Sequence, residues 1–229
     1  MYYLDFLRGL HERLTPRTYL EIGVAQGHSL ALSHCRSIGI DPEFAVNQQI
    51  VAPTSLVRMT SGEYFERLER TGTRPFRKLP IDLAFIDGMH HFEYALRDFI
   101  GVERYCIRQS VVAFDDVLPR HAAEAARGGQ PPNWAGDVFR IGPALATSRP
   151  DLRLLTVATE PTGTLIVTQV DPSSRELQEH LDDIVREHVQ PDPQSVPPEV
   201  LERTHAIAAQ DALDLELWEG LRDARKVET

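Results

Sequence analysis

Seven short apolar runs punctuate the chain between residues 18 and 170, with amphipathic stretches between most of them. They cover 18–24, 36–40, 55–59, 81–86, 110–114, 152–158 and 164–170. Runs of this length separated by helix-sized segments predict strands joined by crossover helices, the pattern of an α/β protein with a mostly parallel sheet. The last two runs are separated only by Thr159-Glu160-Pro161-Thr162-Gly163. A parallel crossover needs about a dozen residues or more, so these two strands are expected to form an antiparallel hairpin. The predicted architecture is Rossmann-like: a seven-stranded sheet ending in that hairpin, with helices on both faces.

Outside the strand region the spacing changes. Leu4, Leu7, Leu10 and Leu14 recur at helical intervals within residues 1–17, and the charged Asp5, Arg8 and Glu12 interrupt them, unlike the apolar core of a signal peptide. After Asp171-Pro172, residues 173–189 and 198–226 are expected to be two helices on either side of the proline-rich QPDPQSVPP. The expected division is a domain of residues 1–172 and a helical extension of 173–229, packed on that domain, lying over the substrate, or forming a homo-oligomer contact. The stretch 127–133, RGGQPPN, is expected to be a loop.

Composition narrows the classes of partner. Of 229 residues, 42% are hydrophobic and 25% charged, as in ordinary globular proteins. Twenty-four basic against thirty-four acidic residues leave a net charge of −10, which opposes binding to nucleic-acid phosphates. Cys35 and Cys106 form no metal-binding or disulfide pattern, and no stretch approaches the ~20 apolar residues of a membrane span. A cytoplasmic location is expected, with no nucleic-acid or membrane partner.

The candidate chemistry lies where apolar runs end. The first ends in Glu21-Ile22-Gly23-Val24-Ala25-Gln26-Gly27-His28-Ser29, where glycines allow a ligand close to the backbone. Ala25 stands where a dinucleotide fingerprint has its middle glycine, which disfavours a nicotinamide cofactor. The second ends in Asp41-Pro42, placing a carboxylate where it can accept both hydroxyls of a ribose. The fourth and fifth end in Asp87-Gly88-Met89-His90-His91 and Asp115-Asp116. In a parallel sheet these three acids emerge at one edge, where their mutual repulsion favours a bound cation. Oxygen ligands select a hard ion such as magnesium. A neighbouring histidine is suited to removing a hydroxyl proton. Taken singly, each of these acids fits a helix cap or a solvated loop better than a metal site, and it is the three together at corresponding strand ends that favour the metal.

These motifs resemble those of class I S-adenosylmethionine (SAM)-dependent methyltransferases. The resemblance is strongest to the metal-dependent O-methyltransferases acting on macrolide and aminocoumarin sugars, the macrocin O-methyltransferase-like enzymes. It covers about residues 18–170. Asp87 through Glu93 with Asp98 is similar to the family's DGxHxYExxxxD pattern, with Phe92 for the usual tyrosine, and Trp134 through Val138 is similar to its WxGDV segment. The resemblance implies that Glu21, Gly23, Gly27, Ser29, Asp41, Ser61 and Asp87 face the cofactor. It further implies that Asp87, Asp115 and Asp116 hold magnesium or another divalent cation, and that His90 is the base. The expected activity is methyl transfer to a hydroxyl of a small molecule, a sugar or natural product. The alternatives are a metal-independent small-molecule methyltransferase and a SAM-fold protein that binds without catalysis.

Overall fold

The computed structural model describes residues 1–129 and 134–227, the side chain of Val227 excepted. Helix α1 (Tyr3–Leu14) leads into β1 (Thr18–Ile22), followed by β2 (Arg36–Ile40), β3 (Thr54–Val57), α2 (Ser61–Thr71), β4 (Leu83–Ile86), α3 (Phe92–Glu103) and β5 (Val111–Phe114). Next come α4 (Ile141–Ser148) and the strands β6 (Arg153–Ala158) and β7 (Thr164–Thr168). The tail holds α5 (Glu176–Glu179), α6 (Leu181–His188), α7 (Pro198–Leu201), β8 (Ile207–Ala208), α8 (Ala209–Leu213) and α9 (Leu217–Val227). Of the 127–133 loop, residues 130–133 lie outside the described residues.

The strands lie in the order β3-β2-β1-β4-β5-β7-β6-β8. The first five are parallel, and β7 pairs antiparallel with both β5 and β6. The Rossmann-like α/β class and the terminal hairpin are as the sequence predicts. Every residue of β1, β4, β5 and β7 is buried, because helices cover both faces, and such strands read as unbroken apolar runs. On one face Leu20, Ile86, Phe114 and Val167 pack with Phe65, Phe99 and Leu145. On the other, Tyr19, Phe85, Ala113 and Ile166 pack with Phe6, Leu10, Leu213 and Trp218. The chain leaves β1 towards β2 on one side, while β4 lies on the other. A crevice therefore opens at the carboxyl ends of β1 and β4, where ligands of such sheets bind.

The tail departs from the two helices expected. The 173–189 segment breaks at His180 into α5 and α6, and the 198–226 segment contains α7, β8, α8 and α9. The eighth strand has a physical cause. Strand β6 would otherwise leave backbone groups unpaired along one edge, and Ile207 and Ala208 fill that edge beside Val157 and Ala158. Arg203, at φ 55°, turns the chain out of α7 towards it.

The tail is bound to the first helix by packing and charge. Trp218 is fully buried, and its Nε1 donates to the Ala212 carbonyl at 2.7 Å. Arg225 reaches Asp82, a fully buried carboxylate that also accepts two bonds from the Arg17 guanidinium. Removing the indole leaves a cavity and an unpaired carbonyl. Trp218→Ala should lower unfolding stability by about 3–5 kcal/mol in chemical denaturation, whereas Leu56→Ala on the exposed edge strand β3 should change it by less than about 1 kcal/mol.

Candidate active site

The turn after β1 is shaped by positive φ angles at Gly23 (88°), Ala25 (45°) and Gly27 (84°). At Gly23 a side chain is sterically impossible, since a Cβ would lie 1.8 Å from the Asp87 carbonyl oxygen. The Asp87 amide in turn donates to the Ile22 carbonyl at 2.8 Å. The glycine turn and the start of the Asp87 loop are thus in direct contact across the crevice between β1 and β4.

Beneath this turn, Glu21 is fully buried and accepts from the Tyr19 hydroxyl at 2.6 Å and the Ser29 hydroxyl at 2.9 Å. Burial pushes its carboxyl up to about 8; the two hydroxyls oppose that, and the charges of Asp87 and Asp41 add to it. Glu21 and Ser29 therefore face each other behind the turn. Asp41 also turns inward: its Oδ2 accepts from the amides of Val24 and Ala25 at 2.9 and 2.8 Å, and its Oδ1 from Glu43 at 2.6 Å. The segment after it follows the turn, with Ala45 and Asn47 donating to the carbonyls of Ala25 and Gln26. Ser61 opens α2 behind a Thr60–Glu63 capping box and hydrogen-bonds the carboxyl of Asp98, a buried group pushed up to about 7 by burial.

Across the crevice, Asp87, His90 and Asp116 place ligand atoms within 4.8 Å of one another, close enough together for a metal ion to bridge them. His90 Nε2 lies 3.2 Å from Asp87 Oδ1, and Nδ1 lies 3.1 Å from Asp116 Oδ2 and 2.8 Å from the Trp134 carbonyl. A carbonyl only accepts, so Nδ1 carries its proton and Nε2 is the nitrogen able to take one. Burial works against the imidazolium, but the hydrogen bond it donates to Asp87 and the charges of Asp116 and Asp87 outweigh it and push His90 up to about 10. His90 thus serves as the counter-charge between the two carboxylates. Asp116 holds a φ of 64°, a rare strain for a non-glycine residue that is found at functional sites.

Asp115 lies outside that close group, yet it is buried, and burial with the charges of Asp116 and Asp87 pushes its carboxyl well above the usual range. Its Oδ1 has no hydrogen-bond partner. Asp87, His90, Asp115 and Asp116 line a cavity of about 10 Å³, space for roughly one water-sized particle. A cluster of oxygen donors, an orphaned buried carboxylate oxygen and room for one small ion fit a hard divalent cation.

Several residues that hold the site in place were not singled out by the sequence. Arg127 pairs with Glu93 at 2.6 Å and with the fully buried Asp137, whose Oδ1 accepts from the Phe92 amide at 2.7 Å at the start of α3. His91 Nε2 meets the Arg127 carbonyl at 3.0 Å, so His91 anchors the loop while His90 faces the acids. Gly136, at φ 61°, passes so close to the His90 carbonyl that a Cβ would lie 1.6 Å from it. The WxGDV-like segment was the available signal, but spacing alone did not reveal which ion pairs it makes.

The glycine turn and the acidic cluster face each other at the switch point of the sheet, where such folds bind their ligands. Residues 20–117 match the family model of a methyltransferase domain. Among solved structures, it is similar to the O-methyltransferase TomG of Streptomyces achromogenes, involved in tomaymycin synthesis and solved with SAM: 18% identity, 74% of this chain and 80% of that one, TM-score 0.53. The O-methyltransferase of Bacillus cereus in complex with SAH shares 15% identity over 72% of this chain and 80% of its own, with a TM-score of 0.51. The SAH-bound methyltransferase of Podospora anserina shares 14% over 74% and 78%, also at 0.51. No curated protein matches the sequence. Among the described residues, no helix is long and apolar enough to cross a membrane.

The raised Glu21 pKa has a consequence for stability. The folded state holds a proton on Glu21 up to about pH 8, whereas the unfolded chain releases it near 4.5. The stabilisation is complete below pH 4.5 and is lost as pH rises to about 8. Glu21→Gln should flatten the decline in melting temperature across that window relative to the parent; parallel curves for the two proteins would show that Glu21 ionises normally.

Proposed function

We propose that the chain is a SAM-dependent O-methyltransferase acting on a hydroxyl of a small molecule, a sugar or other natural product, with the help of a divalent cation. The observation that carries this reading is the convergence of Asp87, His90 and Asp116 beside the glycine turn, with the orphaned Asp115 oxygen behind them. Residues 1–172 carry the chemistry, and 173–229 complete the fold around it.

In this reading the backbone around Gly23 and Gly27 borders the cofactor, with Glu21 and Ser29 supporting the turn from beneath. Asp41 faces the ribose once its bonds to Val24 and Ala25 are shared or exchanged, and Ser61 borders the adenosyl side. SAM, when bound, supplies an electrophilic methyl group on a sulfonium. Asp87, Asp115 and Asp116 would hold magnesium or a similar ion, which when bound supplies positive charge that stabilises a developing alkoxide. His90 takes the hydroxyl proton at Nε2, while the Trp134 carbonyl and Asp116 fix its ring through Nδ1. A base must be neutral, so His90 serves as one once another positive charge balances its two carboxylates. The Arg127–Glu93–Asp137 network keeps the Trp134 carbonyl in register with α3.

One observation favours a metal-independent version. His90 already sits between Asp87 and Asp116 and balances one of their two charges, and Asp115 lies outside their close group. There the imidazolium orients the acceptor and the acids are electrostatic only.

Release of S-adenosylhomocysteine from SAM, measured over a panel of sugar and phenolic hydroxyl acceptors, tests the activity. Failure of calorimetry to detect SAM binding would defeat the proposal. With an accepted substrate at saturation, His90→Ala should lower kcat by about 10²–10⁴-fold while leaving SAM affinity near normal. Mn²⁺ binding, followed by the electron-spin-resonance signal of the free ion, should weaken by roughly 10–100-fold or more in Asp116→Asn. Full activity after EDTA treatment, with unaltered Mn²⁺ binding in Asp116→Asn, would select the metal-independent version.

A further inference from the structure

One contact of the tail reaches the candidate active site. Between α6 and α7 the chain runs Gln190-Pro191-Asp192-Pro193-Gln194, where two prolines remove backbone donors and leave side chains to supply the hydrogen bonds. Gln194, 5% exposed, donates to the Gln190 carbonyl at 2.9 Å and to Asp192 Oδ1 at 3.1 Å. Arg140, buried at the head of α4, donates to the side-chain carbonyls of Gln190 and Gln194, both at 3.0 Å. His188, the last residue of α6, sets its ring 5.3 Å from that of Phe92, the first residue of α3. The segment is therefore seated on the core from one side.

On its other side it holds a loop. Asp192 Oδ1 accepts from the Arg127 amide at 3.0 Å and Oδ2 from the Gly128 amide at 3.1 Å, and these amides hold its carboxyl below the usual range. The bonds of the loop lead on from there to both histidines. The Ala126 carbonyl accepts from Trp134 Nε1 at 2.6 Å, and the Trp134 carbonyl accepts from His90 Nδ1 at 2.8 Å. The Arg127 carbonyl meets His91 Nε2 at 3.0 Å. The Trp134 ring lies against both imidazoles, 5.1 Å from that of His90 and 5.7 Å from that of His91.

Two different anchors thus meet at Arg127. Glu93 and Asp137 fix its guanidinium, which stands at the end of a flexible stem, while Asp192 fixes its backbone. A displacement of that backbone is passed through Ala126 and Trp134 to the carbonyl that holds the proton on His90 Nδ1.

We propose that Asp192 is a positioning residue for methyl transfer: it fixes the backbone of Arg127 and Gly128, and through the Trp134 carbonyl it fixes the ring of His90. The proposal rests on the reading of His90 as the base. It gives the tail a part in the reaction beyond closing the edge of β6 and packing on α1.

Asp192→Ala tests this, beside Asp192→Asn, which keeps one acceptor oxygen, and Asp183→Ala at an exposed position of α6. With an accepted substrate and SAM at saturation, Asp192→Ala should lower kcat by about tenfold and Asp192→Asn by less, while Asp183→Ala leaves it unchanged. SAM affinity and melting temperature should stay near parental in all three. A second readout needs no acceptor. In protein carrying isotope-labelled histidine, the His90 Nδ1–H resonance, identified by its loss in His90→Ala, should be visible by NMR in the parent and broadened by exchange in Asp192→Ala. Parental kcat in Asp192→Ala overturns the proposal, as does a His90 resonance as sharp as the parent's. Equal losses of kcat, SAM affinity and melting temperature would make Asp192 a structural residue and also overturn it. Near-parental kcat in His90→Ala overturns the base reading and this proposal with it; a large loss there beside parental kcat in Asp192→Ala overturns this proposal alone. Should Asp192→Ala fail to fold, Asp192→Asn decides by the same two readouts.

Discussion

The backbone at residue 23 has no room for even one carbon of side chain, because the Asp87 carbonyl occupies that space. This contact joins the ends of two neighbouring strands at the point where the chain's crossovers diverge. It brings the glycine turn, with Glu21 beneath it, against the loop that carries Asp87 and His90. The reading frame of both loops follows from it. The Ile22–Asp87 hydrogen bond sets the level at which each strand ends, and the parallel β4–β5 register brings Asp115 out at the same height.

A concentration of negative charge follows from that alignment. Asp87, Asp115 and Asp116 leave adjacent strands at one level, and burial raises the cost of keeping Asp115 and Asp116 ionised. The protein offsets this locally with the His90 imidazole, which two carboxylates and a carbonyl hold in a fixed orientation. A second group of charges, Arg127 with Glu93 and Asp137, stands outside the first and carries its own counter-charge. The inner group is left with the unpartnered Oδ1 of Asp115, whereas both outer carboxylates are paired with Arg127.

Much of this was legible in the sequence because of burial. Strands covered on both faces appear as apolar runs, and the acids stand out as the first charges after them. The two-residue strand at Ile207–Ala208 was hidden, since its residues fit a helical spacing and only the open edge of β6 selects the extended form. The inward turn of Asp41 was hidden too, because the amides that capture it belong to a turn sixteen and seventeen residues earlier. The roles of His90 and His91 are separated by partners at Asp87, Asp116 and Arg127, contacts that local spacing does not encode.

The short strand at Ile207–Ala208 also bears on how the chain reaches its native state. The hairpin of β6 and β7 is local and can form as soon as its residues are made, but the outer edge of β6 stays open until residue 207 arrives. Until then, that edge is available to any extended segment, including one from another copy of the chain. The helices that follow β8 dock onto α1, so segments far apart in the sequence must meet to close the fold. Such long-range closure makes folding slower than the local hairpin alone would suggest, and makes the interval before it the time of greatest risk for misassembly.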